Sequence, residues 1–368
     1  MRDALITISE DEYTAVYNYS IFEDDGTVMG HLLASSVSSV YGKGYVKTLT
    51  IGGLEIEPLF RRRGYAGLMI NNLFEKSAEM GWEVAALHTV SYNLYRKNGF
   101  EKICDTVKVT VPLSQLKFIE PCWDLVLLTE MKQIPDVLAV FQEFSRNRNV
   151  MFFRGDDRHY SVKPGEENRY TYIWYNGDGN PRSYITISHN HGSKGLDVQE
   201  LAFTDRESMY KVLGLLRMYE GQAAQATFQN IAMMPEVDFV LREYTANHYE
   251  LFPDVMGRIL NVESVLRKNN YPQHKGSFTV GVNDYLDFTR GVYGVEYESG
   301  QAVKIEKLSG SEPADLEADM PAFTQMVYGY ASYSRENVQY MHGVTLNNSE
   351  TSFFEAFPKR NNGLFEHF

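Results

Sequence analysis

Cysteine is scarce in this sequence: Cys104 and Cys122 are the two in 368 residues. They stand far apart and lack the paired spacing of a zinc site. Neither a disulfide framework nor a bound metal is expected, and a reducing compartment, the cytoplasm, is the natural setting. Long apolar runs are missing too. Nowhere do about 18 apolar residues follow one another, so no membrane span is expected. The start, Met1-Arg2-Asp3-Ala4-Leu5, lacks the apolar core of a secretion signal. Positive charge is in deficit, with 35 Lys and Arg against 48 Asp and Glu and a formal net charge of −13. That balance argues against nucleic acid as a partner. It favours approach of a cationic ligand, although solubility alone is the simpler consequence. What remains is the composition of a soluble globular chain, 43% hydrophobic and 23% charged, long enough for two or three domains. Its 25 Tyr and 21 Phe predict ring-rich cores and clefts.

The most informative stretch runs from Leu54 to Ile70. Leu54-Glu55-Ile56 reads as the end of a strand, Arg61-Arg62-Arg63-Gly64 as a tight basic turn, and Tyr65-Ala66-Gly67-Leu68 as the start of a helix. A helix start presents free N–H groups and the positive end of the helix dipole. A glycine turn lets an anion such as phosphate approach that backbone closely. A basic helix start without a ligand is the plainer alternative.

Around this stretch the chain reads as strands at 16–22 and 28–40, joined by Asp24-Asp25-Gly26-Thr27, and a third strand at 45–56. Apolar residues then recur at helical spacing over 65–80, and Gly81 is a stop signal. Val84-Ala85-Ala86-Leu87-His88 is a short buried strand, and Leu94-Tyr95-Arg96-Lys97-Asn98-Gly99-Phe100 a short helix ending at glycine. Strand, glycine turn, helix and strand make a βαβ unit. A first boundary is expected near residue 115. Beyond it come a helix over 134–148, a hairpin about Asn176-Gly177-Asp178-Gly179, a strand at 196–203 and a helix opened by Asp205. That order echoes the first domain without its basic glycine turn, so this region is expected not to hold a pyrophosphate. A third region is expected from residue 256, with strands at 277–282 and 291–298 and a helix over 321–330. The tail, Gly363-Leu364-Phe365-Glu366-His367-Phe368, ends on a ring, which implies that it docks.

Arg61-x-x-Gly64-x-Ala66 matches the turn with which GNAT N-acetyltransferases hold acetyl-coenzyme A. Together with the 84–88 and 94–100 strings, it resembles the Eis-type (enhanced intracellular survival) branch of that family. The resemblance implies an α+β chain of tandem GNAT domains with mixed sheets. An active domain at 1–115 precedes a degenerate one at 116–255 and a sterol-carrier-protein-2-like domain at 256–368. It implies acetyl-CoA as co-substrate, no metal, a small-molecule or protein amine as acceptor, and a homo-oligomer, a hexamer in that family. By the same resemblance, backbone groups from Arg62 through Arg63, Gly64 and Tyr65 to Ala66 hold the pyrophosphate, and Arg61, Arg62 and Arg63 add charge. Leu54, Glu55 and Ile56 lie beside the pantetheine arm. Tyr95 is the general acid, and the carboxylate of Phe368 the general base.

Other residues carry further expectations. His88, Tyr92 and Asn93 can line the acceptor cleft or coenzyme site, His88 being equally well a structural histidine. Glu55 is a second base or a paired structural carboxylate. His189-Asn190-His191 suggests a metal site but has no third ligand at useful spacing, so a turn is expected there. GNAT domains normally place two helices before the first hairpin. Here about 20 residues precede it and read poorly as helices, which implies a late start or a reduced acceptor wall. Two rivals to catalysis remain at this level: an apolar-ligand carrier built on the third domain, and a scaffold that binds coenzyme A as a regulator.

Overall fold

The computed structural model describes residues 1–89, 91–155, 164–190, 192, 194–231, 233–241, 244–309 and 313–366. The chain folds into two compact units. Unit 1 comprises Met1–Cys104, Asp254–Asn362 and Glu366–Phe368, and unit 2 comprises Asp105–Pro253 and Gly363–Phe365. The chain thus passes between units at 104–105 and 253–254, and its first and last long segments share one unit.

Unit 1 begins with β1 (Arg2–Glu10), β2 (Ala15–Phe22), β3 (Val28–Tyr41) and β4 (Gly44–Ile56). Then come α1 (Tyr65–Glu75), α2 (Ser77–Met80), β5 (Val84–His88) and α3 (Tyr92–Arg96). β6 (Glu101–Pro112) leads into unit 2, which continues with β7 (Val126–Leu127), α4 (Ile134–Ser145), β8 (Tyr170–Tyr175) and β9 (Pro181–Asn190). β10 (Gly195–Phe203), α5 (Arg206–Met218), β11 (Gln225–Phe228) and α6 (Pro235–Asp238) follow. β12 (His248–Ile259) returns the chain to unit 1, followed by α7 (Val262–Lys268), β13 (Gly276–Asn283), β14 (Gly291–Glu298) and β15 (Gln301–Leu308). β16 (Leu316–Asp319), α8 (Met320–Val327), β17 (Val344–Leu346) and α9 (Phe353–Ala356) complete it.

The first sheet of unit 1 has the order β1-β2-β3-β4-β5-β12. It is antiparallel except for β4 and β5, the pair that α1 connects. β1 runs into β2 through a short turn, with Thr14 N–H donating to Asp11 Oδ1 at 2.9 Å, and no helix lies between them. β2 alternates buried and half-buried positions, as one covered face requires. Its Tyr17, Tyr19 and Ile21 meet Met69, Ile70, Leu73 and Phe74 of α1 in one core. A second sheet, β15-β14-β13-β16-β17, belongs to the same unit.

Unit 2 carries the order β6-β11-β10-β9-β8-β7. The hairpin β9–β10, then α5, then β11 parallel to β10, repeats the connectivity of β3–β4, α1 and β5. Cys104 and Cys122 are both buried. Among the described residues no helix is long and apolar enough to cross a membrane.

Candidate active site

In unit 1, β4 and β5 part company halfway along. Their parallel ladder covers only Thr48, Thr50 and the residue between them, against Val84, Ala85 and Ala86. β5 continues instead with β12, as far as His88 opposite Val255. β4 keeps β3 to its end but breaks register, with Gly52 opposite Leu33 and Glu55 opposite His31. The extra residue is accommodated at Gly53, whose φ of +56° suits glycine. Such a bulge bends its strand, and here the strand bends where its ladder to β5 has stopped. The last part of β4 therefore offers an open backbone edge along which an extended ligand can lie. Leu54 and Ile56 are half-buried against the core of unit 1, while Glu55 faces solvent, 3.6 Å from Arg61 Nη2.

The chain leaves β4 through one turn of 3-10 helix, Pro58–Phe60. Arg61 Nε donates to the Ile56 carbonyl at 2.7 Å, tying the turn to the strand end. Arg62 has φ +62° and Gly64 φ +86°. A non-glycine residue in that region costs on the order of 1 kcal/mol and is typical of functional turns. Gly64 is the N-cap of α1. No side chain caps the helix and its first turn holds no acidic residue. The first intrahelical bond is Leu68 N–H to Gly64 O at 3.1 Å, so the N–H groups of Tyr65, Ala66 and Gly67 have no intrahelical acceptor. Arg61, Arg62, Arg63 and Gly64 are exposed. Free donors and the helix dipole thus lie next to three consecutive exposed arginines, a donor set suited to a pyrophosphate.

α3 starts after Ser91 and stops ahead of Gly99, whose φ is +82°. Tyr95, half-buried, sets its ring edge-on to Phe100 with centroids 5.8 Å apart. Burial pushes its hydroxyl above the usual tyrosine range, which keeps it protonated at neutral pH. A Cβ at Gly67 of α1 would lie 3.4 Å from Asn98 Oδ1, so the turn after Tyr95 packs closely on α1. Beneath that turn, Arg258 of β12 is fully buried. It donates to the Asn98 carbonyl at 2.7 Å and pairs with Asp284 at 2.5 Å. Its guanidinium lies 5.1 Å from the ring of Phe74 and 4.9 Å from that of Tyr285.

His88, at the end of β5, connects two further groups of unit 1. Its Nδ1 is 3.3 Å from Asp254 Oδ2, and its Nε2 is 3.2 Å from the carbonyl oxygen of Glu366. A carbonyl can only accept, so Nε2 carries the proton it donates. The tail is thereby held at the same end of β5 from which the chain departs toward α3.

Of the expected residues, Leu54, Ile56, Tyr65, Tyr92 and Tyr95 all pack against one core cluster. Asn93 is exposed on α3, and Arg96 lies over the ring of Tyr92 at 5.7 Å. Phe368, the expected base, and His191 lie outside the described residues. His189 sets its ring edge-on to Tyr170 and Tyr219 in unit 2. Among the described residues no group of three His, Cys, Asp or Glu could hold a metal ion. Sequence reasoning missed Arg258 and Asp254. No local pattern marks either, because each acts on residues more than 150 positions away.

Residues 7–103 match the acetyltransferase (GNAT) domain family. The chain therefore carries a GNAT acetyltransferase domain over those residues. Its fold is similar to a GCN5-related N-acetyltransferase from Anabaena variabilis, with TM-score 0.82 and 17% identity over 95% of this chain and 89% of that one. A GCN5-related N-acetyltransferase from Kribbella flavida gives TM-score 0.80 and 14% identity over 95% and 87%. Eis1 from Mycobacterium abscessus gives TM-score 0.74 and 14% identity over 95% and 90%. No curated protein matches the sequence.

Proposed function

We propose that this enzyme transfers the acetyl group of acetyl-CoA directly to a primary amine, with both substrates bound at once. The observation that carries this reading is the open edge of β4 leading straight into the uncapped, arginine-flanked start of α1. Leu54, Glu55 and Ile56 lie along the pantetheine arm. Backbone groups from Arg62 to Ala66 hold the pyrophosphate, with Arg61, Arg62 and Arg63 adding charge, and Asn93 borders the coenzyme. Acetyl-CoA supplies the acetyl group as a thioester.

An amine attacks only as its free base. The carboxylate of Phe368 takes its proton, and the contact between Glu366 and His88 supports a tail directed to this site. A free α-carboxyl has a pKa of roughly 3.5, so it works here through partial burial or a bridging water. A backbone N–H of β4 steadies the developing oxyanion. The hydroxyl of Tyr95 protonates the departing sulfur, and one proton returns to it from solvent. No metal is needed for these steps.

The acceptor is a small-molecule or protein amine, drawn by the acidic chain. In this reading residues 1–115 are the active GNAT domain, 116–255 a degenerate copy and 256–368 a sterol-carrier-protein-2-like domain. The enzyme works in the cytoplasm as a homo-oligomer, a hexamer as in the Eis-type family. The degenerate copy is supported by α5, whose start is filled by its own Asp205 side chain accepting from Ser208 N–H. The test is thiol release from acetyl-CoA with a panel of amines, on the intact chain and on one lacking Phe368. Turnover that collapses in the shortened chain while coenzyme binding persists supports the scheme. Coenzyme binding without turnover on any amine overturns it.

A further inference from the structure

Unit 2 contains a cavity of about 610 Å³ where β10 turns into α5. That volume suits a small organic ligand. The rings of Phe144, Phe203, Tyr210 and Phe239 line it, and Phe239 is 75% exposed although it is a large apolar side chain. An uncovered ring at a cavity mouth is a surface for another planar group to stack on.

The charges that line the cavity are unevenly paired. Three carboxylates border it, and each is committed to an arginine. Glu236 pairs with Arg148 at 3.2 Å, Asp205 with Arg182 at 2.7 Å, and Glu143 lies 4.0 Å from the same Arg182. Arg148 is nearly buried, stacked over Phe144 at 3.7 Å, and also donates to the carbonyls of Phe144 and Met233. Arg146 and Arg206 line the cavity as well, are exposed, and have no carboxylate partner among the described residues. Three arginines and three carboxylates thus line the cavity, and two of those guanidinium groups, Arg146 and Arg206, are left without a carboxylate among the described residues in a chain whose formal net charge is −13. The first turn of α5 does not add to this attraction, because Asp205 already caps it. A polyphosphate would meet that carboxylate at close range. A ligand with one negative charge meets the two guanidinium groups that no carboxylate engages.

We propose that this cavity binds a small planar aromatic acid, its ring between the phenylalanines and its anionic group on Arg146 and Arg206, and that binding stiffens the C-terminal tail. The second half follows from what the far side of the cavity wall does. The ring of Phe144 stacks on Phe365 with centroids 6.1 Å apart and planes at 12°. Gly363 N–H donates to the Asn149 carbonyl at 3.0 Å, and Asn230 Nδ2 donates to the Leu364 carbonyl at 3.0 Å. The segment 144–149 therefore forms the cavity wall and the seat of residues 363–365 together. A ligand that orders this wall orders the seat.

The probe is 2-naphthoate, titrated calorimetrically into the full-length protein, with 2-naphthylmethylamine as a control of opposite charge. Carboxypeptidase release of the C-terminal residues reports on the tail. Expected is saturable naphthoate binding at one site, no binding of the amine, and at least about a tenfold loss of affinity in Arg146→Glu and Arg206→Glu. Both positions are exposed, so the variants fold. Release of the tail slows severalfold with saturating naphthoate in the parent protein and not in the variants. Absence of binding, or binding that ignores the charge reversals or accepts the amine equally, overturns the site. Variant-sensitive binding with unchanged tail release overturns the link to the tail.

Discussion

Arg258 donates to the carbonyl of Asn98 at 2.7 Å, three residues beyond Tyr95, and neither side chain of its ion pair with Asp284 is more than 2% exposed. The turn that ends α3 is thus fixed by a charge from β12, far away in sequence. Gly99 is part of the same arrangement, because a Cβ there would occupy the place of the guanidinium. Burial pushes the Arg258 pKa down, against the pull of Asp284, so the pair is costly to make and costlier to break.

Breaking that pair from one side leaves a buried charge without its partner. Arg258→Met is expected to cost about 3–5 kcal/mol, read from urea unfolding of unit 1. Arg258→Met combined with Asp284→Asn, which neutralises the orphan, should recover a good part of it. Turnover of the single variant should fall while affinity for acetyl-CoA holds, since α1 keeps its start. A single variant as stable as the parent would show that the pair does not hold the turn.

Tyr95 offers a kinetic prediction with a definite sign. Burial raises its pKa, so the hydroxyl keeps its proton throughout the neutral range and loses it only at a pH above the usual tyrosine range. An acid must be protonated to act, so Tyr95 imposes no loss of kcat below that pH. Tyr95→Phe should lower kcat by about 10²–10⁴-fold, leave coenzyme affinity unchanged, and remove any alkaline limb. A variant with parental kcat would eliminate Tyr95 as the acid.

Gly64 separates backbone anion binding from side-chain charge. At φ +86° an alanine is strained by about 1–2 kcal/mol, and relief of that strain turns the N–H groups at the start of α1 away from their common target. Nothing lies within 4 Å of the added methyl, so sterics with neighbours play no part. Gly64→Ala should raise the Kd for acetyl-CoA about tenfold by calorimetry, with the thermal midpoint only slightly lowered. Unchanged affinity would place the pyrophosphate elsewhere.

How much of this was legible in the sequence depends on whether the information is local. The turn from Arg61 to Ala66 and the helix stop at Gly99 are written in adjacent residues, and glycine placement marks both. The hairpin β8–β9 and the opening of α5 at Asp205 were readable for the same reason. β1 pairs directly with β2, and residues 2–10 alternate too irregularly to announce a strand. Its odd residues carry the evidence, with Asp3 accepting from Tyr19 Oη and pairing with Lys76. The parting of β4 and β5 was invisible, because a ladder's end depends on which strand β5 prefers, and that strand, β12, comes more than 150 residues later. His88 was legible as a candidate, but its partners Asp254 and Glu366 were not.

Asp319 gives a stability prediction in which the sign must be followed with care. Its Oδ1 accepts from Ala322 N–H at 2.9 Å and caps α8, while burial raises its pKa. A carboxyl whose folded pKa exceeds its unfolded value binds protons more tightly in the folded state. Folding is therefore disfavoured at neutral pH, where the group must be charged, and is favoured progressively as pH falls through the raised pKa. Asp319→Asn keeps an N-cap of nearly equal quality without the charge. It should be at least as stable as the parent at pH 7, and the advantage should shrink as pH falls through the carboxylate range. Asp319→Ala loses the cap and should cost about 1 kcal/mol. Denaturant unfolding of the three proteins at neutral and acidic pH checks this. An asparagine variant that is less stable at pH 7, with the deficit closing in acid, would mean that the pairing of Asp319 with His342 at 3.8 Å outweighs burial.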